Sequence, residues 1–378
     1  MQLQSKFPDM KTTIFSQISA LSNEYDAVNL GQGFPSFSPD SYLLDRLAHY
    51  TNEGFNQYAP MAGMPRLLES ISQLHSNLYG QSISPQNEIT ITSGATEALF
   101  CAISTVVNAG DEVILFDPSY DSYAPNIELN GGVAIRINLN DDFSFDFEKI
   151  KDAINSKTKA IILNSPHNPS GKCLTKDELD EFWNLINKKN IYVISDEVYQ
   201  HIIFDGKKHL SPFNDERFRD RTFAISSFGK TFHVTGWKIG YCVASEELTR
   251  EFRKIHQYIT FSTMSSAQLA LSDMLNIKSN AVTGLPDFYQ LKREYFRNEL
   301  KKTMFKVLPC EGSFFQLVDY SELSEKDDMA FCISLIKEYK IAAIPLSSFY
   351  QKPPKTKVIR FCFAKDNNTL SSAFNHMV

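Results

Sequence analysis

Residues 222–240 read TFAISSFGKTFHVTGWKIG, and this stretch decides how the rest of the chain is interpreted. The apolar residues 223–225 predict the end of a buried strand, which leads into two serines. Gly229 lets the backbone turn and a ligand approach closely, and Lys230 stands in that turn. The pattern suggests that Lys230 is a nucleophilic amine that holds an aldehyde cofactor as an imine. The alternative is an exposed loop lysine, and the other motifs decide between the two.

Length and composition restrict the class of protein. A chain of 378 residues predicts two lobes, and 43% hydrophobic with 22% charged residues is typical of a soluble globular protein. The net charge of −6 disfavours a general nucleic-acid binder, and no apolar run is long enough to span a bilayer. The N-terminus lacks the apolar segment of a signal peptide, and the six cysteines form no C-x-x-C pair. We therefore expect a cytoplasmic protein with buried free thiols and with neither nucleic acid nor membrane as a partner.

Strand and helix patterns alternate upstream of the lysine stretch. Short apolar runs predict strands at residues 89–92, 111–116, 133–139, 159–163 and 191–194. Alternation of this kind predicts an α/β fold with a mostly parallel sheet in a three-layer α/β/α large domain. A smaller α+β domain is predicted to follow, so the expected division is 1–35 for an N-terminal segment packing with the small domain, 36–280 for the large domain and 281–378 for the small domain.

One strand end has the pattern of an anion site. Residues 89–92 form a predicted strand, Gly94 ends it, and residues 96–107 predict a helix. A helix that starts in a turn of small residues directs backbone N–H groups and the positive end of its dipole at an anion, for which phosphate is the natural candidate. The alternative is an ordinary helix cap by Ser93 or Thr96.

Polar and aromatic side chains follow other strand ends. Tyr120 and Asn168 stand in two exit loops, and Asp196 and Tyr199 follow the strand at 191–194. A buried acid at a strand end is costly unless it has a partner, and ligands of open α/β sheets collect at this edge. Arg360 lies inside the apolar strand at 358–364 and needs an anionic partner, which is either a substrate or a structural ion pair.

These features together describe a site for pyridoxal 5′-phosphate. Tyr120 would stack on the pyridine ring, and Asp196 would pair with the ring nitrogen. Asn168 and Tyr199 would bind the phenolic oxygen, Lys230 would form the imine, and the fork of Arg360 would bind a substrate carboxylate.

The residues of these motifs and their order along the chain resemble those of the class I/II aminotransferases of fold type I, over essentially the whole chain. The matching segments are NLGQGFP, NQYAP, TSGATEAL, FDPSYDSY, NSPHNPSGK, SDEVY, SSFGKTFHVTGWKIGY and IRFCFAK. Within the family, the chain looks closest to the branch that contains methionine and kynurenine aminotransferases. Thr96 stands where the kynurenine branch has a tyrosine, which favours the methionine side.

The resemblance implies further site residues and a homodimer with shared active sites. It assigns the phosphate to Ala95, Thr96, Ser227, Lys238 and, from the neighbouring subunit, Tyr58. It places Gly33 beside the substrate carboxylate, together with Asn168 and Arg360. It also places two aromatic residues in the substrate pocket: Phe15 and, from the partner, Phe261.

The function implied is an aminotransferase for methionine and other large apolar or aromatic amino acids, with a 2-oxo acid as acceptor and ping-pong kinetics. Lys230, Asp196 and Tyr199 are the expected catalytic residues, and no metal is expected. The alternatives are a carbon–sulfur β-lyase on the same scaffold and a non-catalytic binding module. The intact Lys230 argues against the last.

Overall fold

The computed structural model describes residues 4–8, 10, 12–278 and 280–377. Its strands are β1 Val28–Asn29, β2 Ile89–Thr92, β3 Glu112–Asp117, β4 Val133–Asn138, β5 Thr158–Asn164, β6 Tyr192–Asp196, β7 Thr222–Ser227, β8 Gly240–Val243, β9 Lys306–Val307, β10 Phe315–Asp319, β11 Ile341–Ala342, β12 Ile344–Pro345 and β13 Val358–Cys362.

The helices of the same residues are α1 Ile14–Glu24, α2 Ser41–Asn52, α3 Pro65–Tyr79, α4 Gly94–Val106, α5 Tyr123–Leu129, α6 Phe147–Ala153, α7 Lys176–Ile186, α8 Phe228–Thr231, α9 Glu246–Ile259, α10 Ser265–Ile277, α11 Asn280–Thr283, α12 Leu285–Leu300, α13 Asp328–Tyr339 and α14 Asn367–Asn375. Short 3-10 turns lie at Pro212–Asn214, Arg219–Arg221, Thr235–Trp237 and Leu346–Phe349. Across the described part of the chain, no helix combines the length and the apolar character that crossing a membrane requires.

The main sheet is mostly parallel, as predicted. Its strand order in the described chain is β2-β8-β7-β6-β5-β3-β4, and β8 alone runs against its neighbours. The parallel register pairs Asn164 with Asp196 and Asp196 with Ile225. The carboxyl ends of β5, β6 and β7 therefore meet at one edge, where the loops after each strand can form a single site.

Helices cover both faces of this sheet. Side chains alternate along β5, so that Ile162 packs in one apolar cluster with Leu99 of α4, while Ile161 and Leu163 pack in another with Leu179 of α7. Such near-continuous burial is typical of a parallel sheet between two helical layers. The predicted α/β/α architecture is confirmed.

A smaller α+β unit follows in sequence. Strands β12-β13-β10-β9 form an antiparallel sheet, against which α12, α13 and α14 pack. β1 pairs with β11 in a separate two-stranded parallel sheet, which joins the N-terminal segment to this unit. The domain boundaries at 35/36 and 280/281 stay a prediction.

Several predicted elements match the observed ones closely. The strand predicted at 89–92 has the expected bounds. Pro65 suits the first turn of a helix and predicts one at 65–79, which is the range of α3. Thr175 with Glu178 three residues later predicts a capping box, which the structure contains at the start of α7. The helical spacing of the apolar residues from Ile14 to Leu21 predicts an amphipathic helix at 11–25. The observed helix α1 begins only at Ile14, because the Thr13 side chain caps it by accepting from the N–H of Ser16; Lys11 lies outside the described residues. The cysteines are free and buried, as expected, and they are Cys101, Cys173, Cys242, Cys310, Cys332 and Cys362.

One strand prediction was wrong in detail. The apolar run at residues 341–345 predicts one strand, but these residues divide into β11 and β12, which belong to different sheets. Ile341 pairs with Val28, whereas Ile344 pairs with Arg360. A continuous apolar run contains no signal for such a change of partner, because burial is the same in both sheets.

Candidate active site

A cavity of about 290 Å³ opens at the carboxyl edge of the main sheet. It lies where the ends of β5, β6 and β7 meet the start of α4 and the strand β13. The predicted site residues that line it are Phe15, Gly33, Ala95, Thr96, Tyr120, Asn168, Asp196, Tyr199, Ser227, Lys230, Lys238 and Arg360. Motifs spread over most of the sequence therefore converge on one space.

Lys230 projects into this cavity from the short helix α8, directly after β7. Its Nζ donates to the carbonyl oxygen of Gly33 at 2.9 Å. The rings of Tyr199 and Phe314 lie 5.7 and 5.4 Å from the Nζ atom. Lys230 is half-buried in the cavity wall, and the loss of hydration lowers the pKa of its amine to about 8, with the charge of Arg360 acting in the same direction. A neutral, nucleophilic amine is therefore accessible near neutral pH.

Asp196 lies at the end of β6 and is 4% exposed. Burial raises the pKa of its carboxyl to about 6, although the hydroxyl of Tyr123 donates to Oδ2 at 2.6 Å and the N–H of Val198 donates to Oδ1 at 3.3 Å. Among the described residues, no cationic side chain forms a salt bridge with this carboxylate within 4.0 Å. The acid therefore faces the cavity with two neutral donors and without a cation.

The start of α4 forms one wall of the cavity. Ser93 makes no side-chain capping bond, and the Glu97 carboxylate instead accepts the N–H of Ser93. The side-chain cap by Ser93, one of the two capping alternatives, is therefore not observed. A Cβ at Gly94 would lie 3.2 Å from the Nζ of Lys238, so glycine lets this amine approach the helix start. A helix N-terminus with an adjacent amine is suited to binding an anion.

Arg360 lies beneath the cavity and is 1% exposed. Its Nη1 donates to Oδ1 of Asn168 at 2.7 Å, and its Nη2 donates to the carbonyl oxygen of Gly31 at 2.9 Å. The Phe315 ring lies 3.9 Å from the guanidinium carbon, and Nε has no hydrogen-bond partner in the described chain. Burial lowers the pKa of Arg360 to about 10.

No carboxylate of the described residues forms an ion pair with Arg360, so the structural ion pair that was the alternative interpretation is not observed. A buried cation that lacks an anionic partner in the protein is set up to receive one from a ligand.

The other predicted residues of the cavity wall are held by aromatic packing. Tyr199 is 3% exposed, and its ring packs edge-on against Phe314, with the centroids 5.1 Å apart. A Cβ at Gly33 would lie 2.9 Å from Cζ of Phe315, which explains why glycine fits there. The ring of Phe15 lies 5.5 Å from the guanidinium carbon of Arg360.

Tyr58 and Phe261 do not line the cavity of their own chain. Their rings contact each other edge-on, 5.5 Å apart, and Tyr58 is 85% exposed. This position is compatible with their predicted contribution to the site of a neighbouring subunit, which stays a prediction.

Three residues of the site were not predicted from the sequence. Tyr123 donates to Asp196, and Asn164 holds the loop after β5, because its Nδ2 donates to the carbonyl oxygen of Asp196 and its Oδ1 accepts the N–H of Asn168. Both lie in quoted motifs, three residues after Tyr120 and at the start of NSPHNPSGK. Phe315 lies in an apolar run, and nothing in the sequence distinguishes it from an ordinary residue of the hydrophobic core.

Comparison with known proteins places the chain among aminotransferases. The family model described as aminotransferase class I and II matches residues 25–376. The methionine aminotransferase of Escherichia coli (strain K12) is 49% identical over 98% of this chain and 96% of that protein. A kynurenine–oxoglutarate transaminase of Dictyostelium discoideum is 35% identical over 97% and 93% of the two chains. The crystal structure of YbdL from Escherichia coli, which identifies a methionine aminotransferase function, superimposes with a TM-score of 0.98 at 48% identity over 100% of this chain and 99% of that one.

Proposed function

The chain belongs to the class I and II aminotransferase family, and we propose that it transfers the amino group of methionine and other large apolar or aromatic amino acids to a 2-oxo acid, with pyridoxal 5′-phosphate as cofactor. The observation that carries the proposal is the placement of Lys230 and Asp196 in one cavity, each with a pKa shifted toward neutrality by burial. Perturbed acid and base groups in one cleft are typical of an active site.

The side chains present fit this cofactor. The phosphate of the cofactor would be held by residues that line the cavity at the start of α4. They are Ala95 and Thr96 of the first helical turn, together with Ser227 and Lys238. Asp196 would receive the ring nitrogen, because the cavity otherwise leaves its carboxylate without a cation. Tyr120, Asn168 and Tyr199 would contact the ring and its phenolic oxygen. When bound, the cofactor supplies an electron-withdrawing ring that stabilises negative charge on the substrate Cα.

Lys230 is the proposed proton carrier of the reaction. A pKa of about 8 leaves part of the amine population neutral near neutral pH, so Nζ can accept a proton from the substrate Cα and later return it. The carbonyl oxygen of Gly33 accepts from Nζ and orients it. Asp196 would keep its negative charge if the protonated ring nitrogen of the bound cofactor lay beside it, because the described residues supply no salt-bridge partner for this carboxylate.

Arg360 is the proposed site for the substrate carboxylate. Its guanidinium is held in position by Asn168, by the Gly31 carbonyl and by the ring of Phe315, so little orientation entropy is lost when a carboxylate binds. The carboxylate would supply the anion that the buried cation lacks. Phe15 would contact the side chain of the substrate, and a thioether or an aromatic group packs well against such a ring.

We also propose a homodimer in which Tyr58 and Phe261 complete the partner's site, because neither residue lines the cavity of its own chain and Tyr58 is exposed. The free buried cysteines support a reducing, cytoplasmic location. The β-lyase alternative is not favoured by the relatives, which are named for amino-group transfer.

A direct assay tests the function. Purified protein, pyridoxal 5′-phosphate, methionine and a 2-oxo acid are expected to give 4-methylthio-2-oxobutanoate, in a reaction that depends on both substrates. Failure to form a keto acid from any large amino acid would refute the proposal. Pyruvate and ammonia from cystathionine without an acceptor would instead support the β-lyase.

A further inference from the structure

A buried acid–histidine pair lies behind the predicted phosphate site and takes no part in the reaction described above. Nδ1 of His256, on α9, lies 2.5 Å from Oε1 of Glu97, on α4, and the two side chains are 0% and 7% exposed. Cys101 also contacts Glu97, with its Sγ 3.8 Å from Oε1. The three could be taken for a metal site, but 2.5 Å is too short for a metal ion between two ligand atoms that each need about 2.0 Å to it.

Glu97 fixes the turn that opens α4. Its other oxygen, Oε2, accepts the N–H of Ser93, the residue directly before Gly94, Ala95 and Thr96. Burial alone would raise the pKa of Glu97, but the hydrogen bond and charge of His256, with the N–H of Ser93, bring it below its usual value. Glu97 is therefore ionised at neutral pH and satisfies the Ser93 donor. The next three residues, 94–96, line the cavity directly after this fixed point.

His256 extends the connection to a second loop. Its Nε2 lies 2.9 Å from the carbonyl oxygen of Met61, which can only accept, so Nε2 donates. Nδ1 also donates, because the ionised Glu97 oxygen only accepts. Met61 lies three residues after Tyr58, and the N–H of Phe261 donates to the carbonyl oxygen of His256 at 3.1 Å. His256 thus contacts the Tyr58 segment through its side chain and the Phe261 segment through its backbone carbonyl, and these segments carry both residues expected to serve the partner subunit.

Stability alone is a weak reason for such a pair. The desolvation cost of a buried ion pair often equals or exceeds its attraction, and apolar replacements of similar volume are often neutral or stabilising. The pair, however, contacts two backbone segments that carry predicted phosphate contacts. Glu97 binds the start of α4, which serves its own subunit, and His256 binds the loop of Tyr58, which is expected to serve the partner subunit.

We propose that Glu97 and His256 are positioning residues for the cofactor phosphate, which hold the start of α4 for their own subunit's site and the Tyr58 loop for the partner's site. This inference rests on the proposed function, because it assumes that the phosphate of pyridoxal 5′-phosphate binds at α4. It predicts that the pair contributes to binding of the phosphate group and not to binding of the pyridine ring.

The test compares the affinity for pyridoxal 5′-phosphate with the affinity for pyridoxal, which has the same ring and aldehyde but no phosphate. Glu97→Gln keeps the shape and can still accept from Ser93, but it removes the charge and weakens the bond to His256. His256→Asn keeps a donor near the Nδ1 position and loses the contact with Met61. Each variant is expected to lower the affinity for pyridoxal 5′-phosphate by about tenfold or more, while the affinity for pyridoxal changes by less than about twofold.

His209→Asn is the matched control, because His209 forms a second buried pair with Glu197, at 2.8 Å, away from α4. In His209→Asn, the ratio of the affinity for pyridoxal 5′-phosphate to that for pyridoxal is expected to match the wild-type ratio. A second readout is the rise in the thermal unfolding midpoint on adding inorganic phosphate, which both pair variants should reduce. If Glu97→Gln does not fold, His256→Asn carries the test.

Equal losses for both ligands, or an unchanged ratio with only a lower unfolding midpoint, would overturn the inference and leave a purely structural pair. Wild-type protein that binds neither ligand at Lys230 would instead refute the proposed function, so the two failures are distinguishable.

Discussion

Replacing Arg360 gives the sharpest test of substrate recognition. Arg360→Lys keeps a positive charge but loses the planar fork, whereas Arg360→Ala loses both. The surroundings favour a fixed guanidinium, because two of its nitrogens already donate to Asn168 and to Gly31, and a ring stacks on its plane 3.9 Å away. A lysine amine cannot satisfy both acceptors and a carboxylate in this geometry.

The expected magnitude follows from the burial of the site. A hydrogen bond to a charged group contributes about 1.5–3 kcal/mol, so the loss of one arm of the fork in Arg360→Lys should lower kcat/KM for methionine about 10- to 100-fold. A buried carboxylate left without its partner costs about 3–5 kcal/mol, which predicts a loss of about a hundred- to several thousand-fold for Arg360→Ala.

The assay measures initial rates with methionine and with 3-(methylthio)propylamine, which has the same side chain without the carboxylate. Both variants should lose the preference for methionine over the amine, while the rate constant for the amine stays near wild type. The reasoning is refuted if KM for methionine is unchanged in Arg360→Ala. It is also refuted if both substrates lose activity in parallel, because the carboxylate would then not be the group that Arg360 recognises.

Three further predictions concern the acid, the loop glycine and the dimer. Burial raises the pKa of Asp196 from its ordinary 3.8 to about 6, so the folded cofactor-free protein binds more protons than the unfolded chain between these pH values, and its free energy of unfolding falls as the pH rises through this window. Denaturant titrations should show this fall, of about 3 kcal/mol, in wild-type protein and not in Asp196→Asn. Identical pH profiles for the two proteins would refute the claim that burial raises the pKa of Asp196. Gly33→Ala places a methyl 2.9 Å from Cζ of Phe315 and should lower the free energy of unfolding by about 1–3 kcal/mol and raise KM for methionine, so an unchanged KM would mean that Phe315 does not support Arg360. Mixing inactive Lys230→Ala with impaired Tyr58→Ala under subunit exchange should restore activity, because each hybrid contains one intact site; no recovery, with exchange shown by a mass tag, would contradict shared sites.

Much of the architecture was predictable because the sheet is buried on both faces. Strands such as residues 89–92 are short apolar runs with polar exits, and each exit marks the same edge of a parallel sheet. The convergence of Tyr120, Asn168, Asp196 and Lys230 on one cavity follows from that rule together with the strand positions.

Other features depend on tertiary contacts that the local sequence does not encode. The division of residues 341–345 between two sheets, the hydrogen bond from Tyr123 to Asp196 and the stacking of Phe315 on Arg360 each join segments far apart in the chain. Arg360 was predicted to need an anion, but only the structure shows that no carboxylate of the described residues supplies one. The roles of the site residues and the domain boundaries stay predictions.

The most direct measurement concerns the amine of Lys230. Wild-type protein is incubated with one equivalent of pyridoxal 5′-phosphate, reduced with borohydride, digested and mapped by mass spectrometry, with Lys230→Ala as the control. We predict one reduced adduct, on the peptide that contains Lys230, together with a visible absorbance band before reduction that the variant lacks. An adduct on Lys238 or on surface lysines instead, or an equal band in Lys230→Ala, would contradict the account.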